Sequence, residues 1–403
     1  MRTVQRNAAL YPWYSALIQT HFWLPVFFLY FSRRIDLDGV LRLEAIYYLT
    51  VVLLEVPSGY FSDRLGRRVT LITSATMLVL AYATFLLAEG FGLLAVGQVL
   101  LAAGLAFNSG TDTALHYDSL QEAGLAQEYG DREARAGRFA FLASAAAGLI
   151  GGACAVLDLR MAYLLTLVTA SIALGLALIM REPTHGPDTP HADAMPKQIG
   201  YCLKQLRRPI VGYAFCFFVA MTILNHIPYE FYQPYLEELS VGNTLGPTPL
   251  ITGVHTMLAM LIAAWIASRS MAVRRRIGLG PTLLSAMGLQ TLIIVLMGLA
   301  VHPVIAVVTL MRSCPRALMA APLNAAVTPR IDQAHRATFL SVQSLVGRLA
   351  FSATLVGLSW IPGADRGGWP WLSRKLLVAG ALAGALLVGF VLTVRLARDR
   401  DTA

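Results

Sequence analysis

Polar and ionisable side chains recur at four-residue intervals inside one long apolar stretch of the sequence. Gly104, Asn108, Asp112 and His116 would share one face of a helix, because residues four positions apart lie above one another. A carboxyl group removed from water favours its protonated form, so it can exchange a proton near neutral pH. We therefore predict that Asp112 carries a proton; a structural ion pair with a facing arginine is the alternative.

A second apolar stretch places a histidine and a carboxylate on one helical face. Thr222, His226 and Glu230 are spaced by four residues. His226 can shuttle protons near neutral pH. Glu230 is a further candidate for proton coupling, with a solvated position after Pro228 as the alternative. His21, in the first apolar stretch, fits either a binding role or a hydrogen-bonded packing role.

The chain that carries these groups is too apolar for a soluble protein. Of its 403 residues, 56% are hydrophobic and 14% are charged, whereas soluble domains contain about 25% charged residues. Runs of about 20 apolar residues recur, each long enough to cross about 30 Å of hydrocarbon. An all-α membrane protein is predicted. The 4 cysteines are scattered and indicate neither a disulfide framework nor a metal cluster.

Twelve transmembrane spans are predicted, and one polar segment divides them into two sets of six. This segment, residues 181–208, contains four prolines and few apolar residues, so it is predicted to link a six-helix bundle over 1–180 to another over 209–403. The predicted spans are 10–31, 41–61, 69–88, 92–116, 138–157, 161–180, 209–230, 249–267, 281–300, 303–327, 338–361 and 375–396.

The net charge of +9 is explained by membrane topology. Lysine and arginine are about threefold more frequent on one side of the predicted spans than on the other, which is the bias expected of cytoplasmic loops. This bias predicts that both termini are cytoplasmic, and we expect a bacterial inner membrane. Because topology accounts for the charge, no nucleic-acid partner is expected.

The loop between the second and third predicted spans, "GYFSDRLGRR", carries six residues at a fixed spacing. They are Gly59, Asp63, Arg64, Gly66, Arg67 and Arg68. The pattern Gly-x-x-x-Asp-Arg-x-Gly-Arg-Arg/Lys, its place in the chain and the central linker resemble the major facilitator superfamily. The resemblance implies two six-helix bundles that give alternating access to a small-molecule substrate within the lipid bilayer. It also implies a monomer without a cofactor.

The residue types of this loop fit a conformational gate. Gly59 permits close packing of helices and Gly66 permits a tight turn. Asp63 can lie at the positive N-terminal end of another helix, which the family pattern identifies as the eleventh span. The loop arginines can pair with Asp118 at the end of the fourth span. A solvated loop whose arginines serve only topology is the alternative.

Several spans line a central cavity in this family, so their polar residues are candidates for binding substrate and protons. The three arginines within spans match a carboxylate or phosphate group; alternatively, they neutralise Asp112 and Glu55. Glu55 could instead join the gate. The predicted substrate contacts are Arg312, Arg316, Arg348, Asn108, Gln343, Tyr47 and His21, and the predicted proton-coupling residues are Asp112, Glu55, His226 and Glu230.

Two family features are incomplete here. "AAAGLIGGACA" lacks the proline of the exporters' Pro-Gly-Gly motif, and "VGQVLLAAG" retains Gln98 without the family's arginine. Proton-coupled export of a small amphiphilic or anionic molecule is predicted, with uptake or exchange of an organic anion as the alternative. An enzyme is not expected, because the histidines lack metal-ligand spacing and no Gly-x-Ser-x-Gly occurs. No nucleotide-binding Gly-rich loop with a lysine is present either.

Overall fold

The computed structural model is built from α-helices and describes residues 4–35, 37–184, 195–240, 249–359, 361 and 369–397. Short 3₁₀ segments join several of the helices. We call residues 4–184 the first half and residues 195–397 the second half. The helices of the described part are α1 Val4–Ile18, α2 Phe27–Ser32, α3 Leu37–Leu65, α4 Arg67–Leu87, α5 Phe91–Asn108, α6 Thr111–Glu122, α7 Tyr129–Leu157, α8 Leu159–Ile179, α9 Met195–Gln205, α10 Pro209–Ser240, α11 Pro249–Ile277, α12 Leu279–Leu299, α13 Pro303–Val308, α14 Cys314–Val327, α15 Arg336–Ser359 and α16 Trp369–Thr393.

Among the described residues, 10 helical segments are long and apolar enough to cross a membrane. Each overlaps one of the predicted spans three to twelve, so the prediction of an all-helical membrane protein is confirmed. The total of twelve spans remains a prediction. The ten segments are Arg67–Leu87, Phe91–Glu122, Ala126–Leu157, Leu159–Ile179, Pro209–Tyr232, Gly253–Ile277, Leu279–Leu299, Pro303–Arg330, Gln333–Leu358 and Trp369–Leu396.

The first two predicted spans differ in regularity. The structure has no continuous helix over 10–31: α1 ends at Ile18, α2 begins at Phe27, and turns containing Pro25 lie between them. Proline cannot donate a backbone hydrogen bond, which is unfavourable inside a helix. The second predicted span lies within α3, whose 29 residues extend about 44 Å at a rise of 1.5 Å per residue.

The fourth predicted span is broken where its polar residues begin. α5 ends at Asn108, α6 begins at Thr111, and Gly110 between them has a φ of 74°. This left-handed conformation costs a residue with a Cβ more than it costs glycine. The continuous helical face inferred from four-residue spacing is therefore wrong, and Asp112 lies in the first turn of α6.

The tenth predicted span is also divided, into α13, a 3₁₀ segment Thr309–Ser313 and α14. Pro315 in the first turn of α14 has no N–H with which to continue a preceding helix. Arg312 consequently lies in the 3₁₀ segment and Arg316 in α14, so the two arginines do not share one regular helical face.

Each half of the chain packs around its own apolar core, and the halves meet where small residues let backbones approach. The first-half core includes Tyr14, Leu43, Leu71, Phe85 and Tyr163, and the second-half core includes Phe217, Leu283, Met297, Phe339 and Leu376. A Cβ on Gly253 of α11 would lie 2.5 Å from the carbonyl oxygen of Gly148 on α7. A Cβ on Gly59 of α3 would lie 2.6 Å from Oγ of Ser341 on α15. Both contacts require glycine.

Candidate functional site

Four charged side chains form a buried cluster between the two halves. Asp63, Arg67 and Asp118 belong to the first half and Arg336 to the second, and none is more than 4% exposed. We call these four residues the charged cluster, and the end of the molecule where they lie the cluster end. Two carboxylates and two guanidinium groups balance in charge, a condition for burying ions together.

Asp63 lies at the N-terminus of α15. Its Oδ1 accepts a hydrogen bond from the backbone N–H of Ala337 at 3.2 Å, and its Oδ2 accepts one from Thr338 at 2.8 Å. The N–H groups of a first helical turn have no acceptor within the helix, and the helix dipole favours a negative charge beside them. A carboxylate of the first half therefore satisfies donors of the second.

The guanidinium group of Arg67 contacts both carboxylates of the cluster. Its Nη1 lies 2.5 Å from Oδ1 of Asp63, and its Nε donates to Oδ2 of Asp118 at 3.3 Å. Its Nη2 donates to the carbonyl oxygen of Gln333, in the second half, at 2.6 Å. Arg336 donates to the other oxygen of Asp118. The cluster thus ties α3, α4 and α6 to the start of α15.

Arg336 is a cluster residue that the sequence analysis counted only as a topology signal. It is the first residue of α15 and also donates to the carbonyl oxygens of Thr328 at 3.0 Å and Ile331 at 2.8 Å. Its position was the available signal. Asp63 was expected at the N-terminus of this span, so a basic residue at the same N-terminus was likewise a candidate.

The other two loop arginines stay outside the cluster. Arg64 is exposed, and Arg68 donates to the carbonyl oxygen of Met180 at 2.8 Å. Within the described part of the chain, the expected contact with Asp118 is made by Arg67 alone among the three.

The loop also contains a cap for α4. Oε1 of Glu182 accepts from the backbone N–H of Arg67 at 2.6 Å, and Oε2 accepts from that of Arg68 at 2.7 Å. Gly66, before α4, has a φ of 110°, and a Cβ there would lie 2.8 Å from the Glu182 carboxyl carbon. The glycine therefore allows both the turn and the approach of the capping carboxylate.

α9, inside the predicted linker, supports the same end of α15. Gln198 accepts a hydrogen bond from the Thr338 hydroxyl at 2.6 Å and donates to the carbonyl oxygen of Ala334 at 3.2 Å. The Tyr201 hydroxyl donates to Asp332 at 2.6 Å. Burial raises the pKa of Tyr201, so this hydroxyl keeps the proton that it donates.

Arg316 is exposed although residues of both halves surround it. Its guanidinium group is close enough for electrostatic interaction with His21 of the first half and with His226 and Arg348 of the second. It forms no hydrogen bond or ion pair with any described residue. We call the solvent-accessible space around Arg316, between the halves, the central cavity.

Glu55 is fully buried and contacts one of the three arginines. Nε of Arg348 lies 3.7 Å from Oε2 of Glu55, and the Ser109 hydroxyl donates to Oε1 at 2.7 Å. Neutralisation of Glu55 therefore accounts for Arg348 and leaves Arg316 unexplained. Arg348 is about a third exposed, with a side-chain exposure of 31%, so it also reaches the central cavity.

Arg312 is buried among neutral partners. Its Nη1 lies 3.1 Å from Nδ1 of His255, and its guanidinium carbon lies 4.3 Å from the centre of the Tyr232 ring. An aromatic ring face stabilises a nearby cation by about 0.5–2 kcal/mol. Only 5% of Arg312 is exposed, so it is less accessible to a substrate than Arg316.

Asp112 lies in a network of neutral hydrogen-bonding groups. Its Oδ2 accepts from Nδ2 of Asn108 at 3.2 Å, and its Oδ1 accepts from the backbone N–H of Thr113 at 2.7 Å. The Tyr14 hydroxyl donates to Oδ1 of Asn108 at 2.9 Å. In the described chain no lysine or arginine pairs with Asp112. The facing arginine of the alternative interpretation is therefore absent from its neighbourhood.

Two predicted histidines lie beside the central cavity and away from the cluster. Nδ1 of His226 is 2.7 Å from the carbonyl oxygen of Thr222, and its ring packs against Phe351. His21 is half-buried, and its Nε2 has no hydrogen-bond partner.

The remaining predicted residues have different surroundings. Glu230 is exposed on α10, beside the exposed ring of Tyr229. Tyr47 on α3 is half-buried and packs edge-on against Tyr48, with ring centres 5.2 Å apart. Gln343 on α15 is buried, and its Nε2 has no hydrogen-bond partner.

Glu133 is a contact between the halves that the sequence analysis missed. It lies on α7, which begins at Tyr129, before the predicted start of the fifth span at residue 138. Its Oε2 is 2.7 Å from Nδ1 of His116, and its Oε1 accepts from Nδ2 of Asn324 in the second half at 3.2 Å. Hydropathy marks only the apolar part of a helix, so it could not show that the polar extension is also helical.

A family pattern and several solved structures match the chain. The pattern described as Major Facilitator Superfamily matches residues 24–355. No curated protein sequence matches. The human organic anion transporter MFSD10 (TETRAN) has 18% identity and a TM-score of 0.66, covering 98% of this chain and 99% of that chain.

Two bacterial transporters share the fold. The E. coli fucose:proton symporter FucP has 16% identity and a TM-score of 0.68, with 98% of each chain covered. A bacterial homologue of the iron transporter ferroportin, in an outward-facing state, also has 16% identity and a TM-score of 0.68, covering 97% of this chain and all of that one. At these identities the likeness establishes the fold.

Proposed function

The chain belongs to the Major Facilitator Superfamily, which makes it an integral membrane transporter and not an enzyme, and from this premise we propose a secondary active transporter that carries a small organic molecule with an anionic group. The proposal includes alternating access between two six-helix bundles, residues 1–180 and 209–403, joined by the segment 181–208. It also includes a monomer in a bacterial inner membrane, with both termini in the cytoplasm.

The observation that carries the substrate class is the unpaired guanidinium group of Arg316. An arginine stays charged at any physiological pH, and a charge at membrane depth is costly without a partner. Arg348 has Glu55, and Arg312 has His255 and Tyr232. Because Arg316 has no such partner in the described chain and is open to solvent, a carboxylate or phosphate group of the substrate is the partner that we assign to it.

The charged cluster supports alternating access. Its ions bridge the halves at one end, while Arg316 stays open to solvent between them. Separation of the halves at the cluster end would break the bonds of Asp63 to α15 and of Arg336 to Asp118. These buried groups would then be hydrated, so the cluster can be formed in one conformation and broken in the other.

Asp112 is the proposed proton carrier, and export in exchange for protons is the proposed direction. Its hydrogen-bonding neighbours are uncharged and it lacks a basic partner, so its own ionisation is not held by a fixed cation. A carboxyl group in this setting can exchange protons at near-neutral pH. The arginines equally favour a second candidate, the uptake or exchange of an organic anion.

Transport and binding are tested on the full chain. In proteoliposomes, we expect a proton gradient to drive an organic carboxylate or phosphate, and we expect Asp112→Asn to abolish the driven flux while counterflow persists. Flux in the direction opposite to export, or flux that an anion gradient alone supports, would favour the second candidate. Proton-driven flux that is undiminished in Asp112→Asn would remove Asp112 from the proposal.

Arg316→Gln tests the substrate class directly. A charge-assisted hydrogen bond contributes about 1.5–3 kcal/mol, so the variant should bind the transported anion about 10-fold to 150-fold more weakly. Arg276→Gln removes the same charge from an exposed position at the end of α11 and should leave binding unchanged. Equal affinity in wild type and Arg316→Gln, for every anion transported, would refute the assignment.

A further inference from the structure

A histidine–carboxylate pair lies apart from the central cavity, between α6 and α7. Nδ1 of His116 is 2.7 Å from Oε2 of Glu133, and the side chains are 1% and 12% exposed. The same carboxylate accepts a hydrogen bond from Asn324 of the second half at 3.2 Å. The pair is therefore a contact between the halves as well as a site that can take up a proton.

The other groups around His116 leave one ring nitrogen without a partner. The Tyr11 ring of α1 stacks on the imidazole with ring centres 3.9 Å apart, and the Tyr129 ring of α7 is tilted against it at 5.5 Å. Besides Glu133, the ionisable neighbours are these two tyrosines and Asp112, one turn earlier on α6. Nε2 of His116 is buried and has no hydrogen-bond partner.

This arrangement selects one protonation state while the halves are in contact. A neutral imidazole can donate from Nδ1 to Glu133 and leaves only a lone pair unpaired at Nε2. A proton at Nε2 would create a buried N–H without an acceptor, which costs about 1–3 kcal/mol. Separation of the halves at Asn324 would admit water to the pair, and that water can accept the hydrogen bond from Nε2.

We propose that His116 is a proton-binding site coupled to the contact between the halves: it is neutral while the cluster end is closed and takes up a proton at Nε2 when that end opens. The proton comes from the entering water, and Glu133 stays ionised and holds the imidazolium through Nδ1. The inference rests on the proposed alternating access. It adds a site for protons that is separate from Asp112.

The test measures how far apart the halves lie at the cluster end as a function of pH. Spin labels are placed at Gln121→Cys and Ile277→Cys, both exposed, in the full chain with its native cysteines replaced by serine. One proton changes the ratio of open to closed molecules by at most about tenfold per pH unit. We expect the open fraction to rise as pH falls from 8 to 5, with a single-proton slope.

His116→Asn is the decisive variant. The amide of asparagine can donate to Glu133 from near the Nδ1 position but cannot take up a proton, so the open fraction should become independent of pH. His335→Asn is the matched control, because His335 is also buried at the cluster end and its Nδ1 also has no partner. Glu133→Gln removes the anion that holds the imidazolium, and the midpoint of opening should move to lower pH.

The outcomes separate this proposal from the proposed function. An unchanged pH response in His116→Asn, or its loss in His335→Asn alone, would overturn the role of His116. A wild-type distance distribution that does not change with pH would overturn it too. Asp112→Asn should stop proton-driven transport and keep the pH-dependent opening, so failure of the Asp112 assignment is recognised independently.

Discussion

Replacement of Asp63 by asparagine tests the link between the charged cluster and the closed state. Asparagine is nearly the same size and keeps one oxygen acceptor, so the packing of α3 against α15 is preserved. What it removes is the negative charge at the N-terminus of α15 and the second acceptor for the N–H groups of Ala337 and Thr338. The closed state should therefore become less stable relative to the open state.

The magnitude follows from the bonds that cross between the halves. The ion pair of Asp63 with Arg67 lies within the first half and can persist after opening, so it does not contribute. The two bonds to α15 lose their charge assistance, about 1 kcal/mol each, and the favourable helix dipole adds about 0.3–1 kcal/mol. The total of about 2–3 kcal/mol corresponds to a shift of about 30-fold to 150-fold toward the open state.

The assay is the spin-label distance between residues 121 and 277, with substrate affinity measured in parallel. Asp131→Asn is the control, because Asp131 also pairs with an arginine of the other half, Arg275, at 2.6 Å, but both side chains are 59% exposed. Exposed pairs contribute about 0–1 kcal/mol, so its shift should be less than about fivefold. Equal shifts in the two variants, or a loss of affinity with no shift in Asp63→Asn, would refute the reasoning.

Two further variants concern the glycine contact and the cap of the same loop. Gly59→Ala should favour the open state without unfolding the protein, because its Cβ would lie 2.6 Å from Oγ of Ser341 only while the halves are in contact; unchanged spin-label distances would contradict this. Glu182→Gln keeps one acceptor for the N–H groups of Arg67 and Arg68 but loses the charge at the start of α4. It should lower the free energy of unfolding by about 0.5–2 kcal/mol, measured by thermal denaturation in detergent, and an unchanged transition would show that this cap adds no stability.

Local patterns in the sequence were sufficient for several features of this molecule. Apolar runs of sufficient length located ten of the helical segments, because crossing hydrocarbon imposes a minimum length whatever the tertiary packing. The spacing of Gly59, Asp63, Gly66 and Arg67 placed these residues at a turn and a helix contact. Backbone conformation and helix spacing depend on near neighbours, which the sequence displays directly.

The helix breaks, the polar extensions of helices and the partners of the arginines depended on tertiary structure. No pattern showed that Gly110 interrupts the fourth span, so Asp112 was assigned to a face that does not exist. Likewise, no pattern showed that Glu133 lies on a helix and contacts both His116 and Asn324.

The sequence by itself determined the class of protein, the positions of most spans and the chemistry available in the gate loop, since these follow from hydropathy and short-range spacing. Tertiary structure alone decided that Arg348 has a carboxylate partner while Arg316 has none among the described residues. It also decided that Arg336 shares Asp118 with Arg67. The physical reason is that the cost of burying a charge depends on groups hundreds of residues away, and only the packing of the helices brings those groups together.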